Sequence, residues 1–105
     1  MRGRSMKKSL LLRLGVTVPN EGARRLAYWI QREPVGALSK LMRRTGIGQI
    51  SMERMMSGDV VPDAPLAYQI FAATRCAVAI NDWDAEPEGG WFDRVAPRDS
   101  MRRAA

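Results

Sequence analysis

The sequence predicts an all-α fold of five short helices, preceded by a basic N-terminal arm and followed by a flexible C-terminal tail. Apolar residues recur at helical spacing in successive stretches, and Pro and Gly separate those stretches. Outside residues 10–18, no alternation of apolar and polar residues is long enough for a strand. A chain of 105 residues suits one domain. We therefore expect an arm over residues 1–18, a helical domain over 19–84, and a linker and tail over 85–105.

The first helix is predicted over residues 21–33. Pro19 cannot lie inside a helix, Asn20 is a favourable N-cap, and Pro34 ends the segment. The residues expected to face the core follow the spacing i, i+3, i+4 and i+7: Ala23, Leu26, Ala27 and Ile30.

The second and third helices are predicted over residues 36–44 and 49–57, with a tight turn between them. Gly46 suits the left-handed conformation that ends many helices, and Gly58 stops the third helix. The residues expected to face inward are Leu38, Leu41 and Met42 in the second helix and Met52, Met55 and Met56 in the third.

The fourth helix is predicted from the N-cap Asp63 to about Thr74, and a short fifth helix or turn follows at AVAINDW, residues 77–83. The apolar stripe of the fourth helix comprises Leu66, Ala67, Ile70, Phe71 and Ala73. Val78 and Trp83 are expected to fill the core, and the single cysteine, Cys76, is expected to be buried.

Positive charge is concentrated in the first half of the chain. Residues 1–48 contain eleven Lys or Arg and two acids, a net charge of +9, whereas residues 49–105 contain six Arg and nine acids, a net charge of −3. A basic half of this kind suits a polyanion, either nucleic acid or an anionic membrane surface. The alternative, that these side chains only solvate helix faces, stays open.

Catalytic and metal-binding patterns are missing from the sequence. The chain has no His and one Cys, so the commonest general base and the usual metal-ligand sets are absent. We therefore expect no enzyme activity, no cofactor and no metal. The apolar run at residues 10–12 is too short for a signal peptide or a membrane span, so we expect a cytoplasmic, nucleoid-associated protein.

The stretch TGIGQISMERMMSG, residues 45–58, meets the requirements of a helix-turn-helix. Gly46 permits the sharp turn at no steric cost. Ile47 is apolar and can fill the space between the two helices, and the third helix has a polar outward face to present to a groove. An ordinary helical hairpin looks similar at low resolution and differs in the residues around the turn and in what its outward face carries.

Two stretches resemble a known family. GIGQISMERMMSGDVVP, residues 46–62, resembles the helix-turn-helix of the Cro/cI-like (Xre-type) phage and bacterial regulators. APLAYQIFAATRCAVAINDW, residues 64–83, resembles the last two helices of the YdaS-like branch, with matches at Ala67, Ile70, Ala73, Thr74 and Val78. The resemblance covers about residues 23–83. It implies a lambda-repressor-like helix-turn-helix fold and a dimeric, sequence-specific regulator of double-stranded DNA, of phage or prophage type. It favours a repressor and leaves activation open.

The third helix is then the recognition helix, and two copies in a homodimer enter successive major grooves about 34 Å apart. The residues expected to contact base edges are Gln49, Ile50, Ser51, Glu53 and Arg54. Three alternatives stay open here: a merely solvated Gln49, an Arg54 that is paired with Glu53 or Asp59, and a Glu53 that orients Arg54 or repels phosphate. The residues expected to contact phosphates are Lys40, Arg43 and Arg44 in the second helix and Arg2, Arg4, Lys7 and Lys8 in the arm. For the arm, the alternative of a merely disordered tail stays open. Trp91 and Phe92 are candidates for a dimer or partner contact.

A second hypothesis belongs to a different functional class. The same fold can serve as a protein-interaction module, such as an antitoxin, an antirepressor or an RNA-polymerase-binding regulator, with weak or non-specific DNA binding. Gly48 lacks the capping hydroxyl that the family usually carries there, and Ile50 places an aliphatic group on the face meant for bases. The acidic second half of the chain and the Trp91–Phe92 pair also favour this hypothesis.

Overall fold

The computed structural model describes residues 12–95, which form four α-helices and one short 3₁₀ helix without a strand in that part of the chain. The helices are α1 (Glu21–Arg32), α2 (Ala37–Thr45), α3 (Gln49–Ser57) and α4 (Ala64–Ala73), followed by the 3₁₀ helix Ile80–Asp84. The predicted all-α class is confirmed, and the predicted fifth helix is a 3₁₀ helix of five residues. Over residues 12–95, no helix is both long and apolar enough to span a bilayer.

The helix ends follow the capping residues that the sequence predicted. The side chain of Asn20 accepts a hydrogen bond from the backbone N–H of Ala23, and the side chain of Asp63 accepts one from the N–H of Leu66. Gly46 and Gly58 adopt left-handed φ values of 78° and 89° after α2 and α3. These caps fix where α2 and α3 end.

The core lies between the four α-helices and the 3₁₀ helix: α1 packs against the 3₁₀ helix and α3, and α4 packs against α2 and the 3₁₀ helix. Its buried apolar residues are Leu12, Ala23, Leu26, Ala27, Ile30, Leu38, Leu41, Met52, Met55, Met56, Ala67, Ile70, Val78, Trp83 and Trp91. Most were predicted from helical spacing, whereas Leu12 and Trp91 lie outside the predicted helices. Met42, Ile47 and Leu66 are half-buried against this core.

Both ends of the described chain pack against the helices. Leu12 is 5% exposed and Trp91 is 8% exposed. The backbone N–H of Glu21 donates to the carbonyl of Ala85 at 2.9 Å. The folded unit therefore extends beyond the predicted limits of residues 19 and 84, because the chain on either side supplies apolar side chains to the same core.

Cys76 is exposed, so the prediction that it is buried was wrong. Helix α4 ends at Ala73, and both Arg75 (φ 56°) and Cys76 (φ 72°) take the left-handed conformation. The chain therefore leaves the helical path before Cys76, whose side chain no longer continues the apolar stripe of α4.

Candidate nucleic-acid interface

Helices α2 and α3 are joined by the three-residue turn 46–48. The N–H of Gly46 donates to the carbonyl of Met42 at 2.8 Å, and Ile47 is half-buried beneath the turn. Gly48 is the N-cap of α3 with φ −89° and ψ 177°, and it provides no side-chain cap. The turn residues that the sequence predicted therefore occupy the positions expected of them.

Helix α3 is divided into a buried face and an exposed face. Its three Met side chains are buried, at 2% exposure or less, whereas Gln49, Ser51 and Arg54 are exposed. Ile50 is 75% exposed, and the helical repeat places it at the middle of the outward face. Four of the five residues predicted to contact bases are thus open to solvent.

Glu53 is the exception, because it is partly buried and held by two donors. Its Oε2 accepts a hydrogen bond from Nε2 of Gln49 and another from the backbone N–H of Arg13, each at 3.0 Å. The hydrogen bond from Gln49, followed by that from Arg13, holds the pKa of Glu53 below its ordinary value. Glu53 therefore stays ionised and is oriented by both neighbours.

These contacts bear on the alternatives for Gln49 and Arg54. Arg54 forms no ion pair with Glu53, Asp59 or any other described residue, so its guanidinium is available to a ligand. Gln49 is exposed but is also hydrogen-bonded to Glu53. The Arg13–Glu53 contact joins residues 40 positions apart, and no local spacing in the sequence signals it.

Three cations of α2 flank this face. Lys40, Arg43 and Arg44 are exposed, and within residues 12–95 none of them forms an ion pair. Together with Arg75 and Trp29 they line a groove of about 440 Å³, in which Glu33 is the only acid among the described lining residues. Arg43 also lines a shallow depression over the turn together with Gln49, so the cationic face of α2 continues onto the first turn of α3.

The remaining predicted contacts fall into two groups. Arg2, Arg4, Lys7 and Lys8 lie outside the described residues. Trp91, a candidate for a dimer or partner contact, is buried in the core, and its Nε1 donates to the carbonyl of Gly15 at 2.9 Å. Phe92, which is 81% exposed, remains open to a partner.

Among residues 12–95, no three His, Cys, Asp or Glu side chains are grouped so that they could hold a metal ion. No family model, curated protein or solved structure matches the chain.

Proposed function

We propose that this protein is a sequence-specific regulator that binds double-stranded DNA and reads the major groove with α3. The observation that carries the proposal is the solvent-exposed face of α3, polar apart from Ile50, beside three cations on α2 that form no ion pair within residues 12–95. A helix of this width fits the major groove, where base pairs differ in their donors and acceptors. Cations beside it neutralise phosphates and supply most of the affinity.

Arg54 is the strongest candidate for base reading in this arrangement. Its guanidinium has no partner among residues 12–95, and Arg pairs bidentately with O6 and N7 of guanine. Gln49 and Glu53 act as a hydrogen-bonded pair rather than as two independent side chains. Lys40, Arg43 and Arg44 contact phosphates and set the register of α3 on the duplex.

We also propose that the protein works as a homodimer on a two-fold symmetric site, as a repressor of phage or prophage type in the nucleoid. Two copies place two recognition helices about one DNA turn apart. Phe92 and Tyr68, at 81% and 58% exposure, are the largest apolar side chains available to a second copy or to another regulatory protein.

The first test is a selection of bound fragments from a random double-stranded DNA pool. Binding of the protein to the selected duplex and to a scrambled duplex is then measured by fluorescence anisotropy at several salt concentrations. We expect the selected duplex to bind about 10³-fold more tightly than the scrambled duplex and to contain a two-fold symmetric motif. Equal binding of both duplexes, with one common salt slope, would contradict sequence-specific recognition.

A charge reversal tests the role of α2. Arg43→Glu should weaken binding to every duplex by about tenfold or more and lower the salt slope by at least ~1, because a phosphate contact is lost. Arg32→Glu makes the same change of charge on α1, outside the groove beside α2. If the two variants bind alike, only net charge matters and the α2 contacts are refuted.

The exposure of Ile50 favours the second candidate, a protein-interaction module of the same fold. An aliphatic side chain that is 75% exposed at the centre of a helix face is typical of a protein contact as well as of a thymine methyl contact. Ile50→Ser separates the two. A DNA regulator loses preference at one base pair of its selected site, whereas an interaction module shows no base preference to lose.

A further inference from the structure

Residues 12–15 lie along α3. Leu12 is buried in the core, and the backbone N–H of the next residue, Arg13, donates to Oε2 of Glu53. A Cβ atom built on Gly15 would lie 3.6 Å from Cα of Ser57, which is ordinary van der Waals contact. Residues 13–15 line a shallow cavity of about 230 Å³ together with Ile50, Glu53, Arg54 and Ser57. Residues 12–15 therefore lie beside the proposed base-reading face, next to the last two turns of α3.

Trp91 fixes that segment. Its indole Nε1–H donates to the carbonyl of Gly15 at 2.9 Å, and its ring shares the core with Leu12. The hydrogen bond joins residues 76 positions apart. A buried indole N–H that is paired in this way resists displacement, because a broken pair would leave a donor and an acceptor without partners.

The chain around Trp91 is held in turn by α1. Nη1 of Arg24 donates to the carbonyls of Asp93 and Arg94 at 3.3 and 3.4 Å. The backbone N–H of Glu88 donates to Oε1 of Glu21 at 2.8 Å. A continuous set of contacts therefore runs from α1 through residues 88–94 and residues 12–15 to Glu53 on α3.

We propose that Trp91 is a positioning residue for base reading. It holds residues 12–15 against α3, so that the N–H of Arg13 orients the carboxylate of Glu53. Glu53 in turn orients the side-chain amide of Gln49. This inference rests on the proposed function. An ionised Glu53 only accepts hydrogen bonds, so the oriented carboxylate selects a base with an amino group in the major groove, cytosine N4 or adenine N6. Trp91 thus acts on specificity without touching DNA.

The test compares Trp91→Phe with Trp83→Phe. Both variants exchange a buried indole for a phenyl ring, but the N–H of Trp83 has no acceptor among residues 12–95. The quantity measured is the ratio of affinities for two duplexes: the selected one, and one in which the base pair with the amino group is replaced. Trp91→Phe should lower this ratio by about 3- to 10-fold, which is the effect of one hydrogen bond. Trp83→Phe should leave that ratio unchanged.

A double-mutant cycle with Glu53→Ala identifies the route of the effect. If Trp91 acts through Glu53, Trp91→Phe produces no further loss of that preference in the Glu53→Ala background. An equal loss in both backgrounds would overturn the inference. Where Trp91→Phe does not fold, Arg13→Pro, which removes the same N–H donor, is compared with Arg13→Ala, which keeps it.

A measurement without DNA separates this inference from the proposed function. The pKa of Glu53, followed by NMR of its carboxyl carbon, should rise toward its ordinary value in Trp91→Phe and stay low in Trp83→Phe. If neither this pKa nor the base preference changes in Trp91→Phe, the inference fails while the proposed function stands. If the wild-type protein shows no base preference, the proposed function fails and with it the role of Trp91 in base reading.

Discussion

Gly22 lies where α1 meets the ring of Trp83. A Cβ atom at this position would come within 2.3 Å of Cδ2 of Trp83 and 2.5 Å of Cε3. Trp83 is 3% exposed, so its ring has no open side into which to move. The close approach of the 3₁₀ helix to α1 therefore requires a residue without a side chain.

We expect Gly22→Ala to lower the free energy of unfolding by about 1–3 kcal/mol, because an added methyl group overpacks the core. Urea unfolding followed by Trp fluorescence measures the loss. Gly90→Ala is the matched control, because its Cβ would lie 3.6 Å from Oδ2 of Asp93, an ordinary contact. Similar losses in the two variants would show that the ring of Trp83 can shift.

At the scale of one helix, α1 carries a buried ion pair that connects it to residues 88–94. Glu21 is 1% exposed, and its carboxylate binds Arg24 at 2.8 Å and Arg25 at 2.9 Å. Burial opposes ionisation of Glu21. The hydrogen bonds from Arg24 and Glu88 and the charges of Arg24 and Arg25 outweigh that effect and lower its pKa.

This shift predicts how stability depends on pH. A carboxyl whose folded-state pKa is lowered contributes its full stabilisation above its unfolded-state pKa of about 4.3, and the contribution is lost as pH falls through the folded-state pKa. We expect Glu21→Gln to lower the free energy of unfolding at pH 7 by about 3 kcal/mol, since Arg24 and Arg25 lose their buried counter-charge. The deficit relative to wild type should shrink as the pH is lowered from about 5 to about 3.

Urea unfolding at pH 7, 5, 4 and 3 measures this dependence. Glu33→Gln removes the same charge at the other end of α1, where the carboxylate forms no ion pair with a described residue. The control should differ little from wild type at any of these pH values. A Glu21→Gln deficit that is constant over the range would show that packing of the side chain, rather than its charge, is responsible.

At the scale of the whole molecule, the two ends of the described chain stabilise each other. Leu12 and Trp91 share the core, and Arg24 uses the carbonyls of Asp93 and Arg94 as acceptors. We expect a chain that ends at Asp84 to lose about 3–5 kcal/mol of unfolding free energy, the cost of removing a buried aromatic side chain. A chain that ends at Val95 keeps every one of these contacts.

Thermal unfolding of the two shortened chains and of the full chain measures this difference. The chain that ends at Val95 should melt close to the full chain, and the chain that ends at Asp84 well below it. If the two shortened chains unfold at the same temperature, residues 85–95 contribute nothing to stability, and Trp91 cannot hold residues 12–15.

Local signals in the sequence were enough to predict the helices and the turn between α2 and α3. Helical periodicity, N-caps and glycine stops act over three or four residues, so their signal is local and readable. Gly46 and Gly58 were predicted and adopt the left-handed conformation, and Met52, Met55 and Met56 were predicted and are buried. The outward face of α3 follows directly from that burial, while its contacts with bases stay a prediction.

The positions of the two ends of the described chain depend on how the helices pack, and they became visible only in the structure. The sequence indicated a basic arm and a linker, because neither segment has helical periodicity, and it did not show whether the arm packs on the domain. The structure places Leu12 and Trp91 in the core and joins Arg13 to Glu53. Contacts between residues 40 and 76 positions apart depend on how the helices pack, and no local pattern of residues encodes that packing.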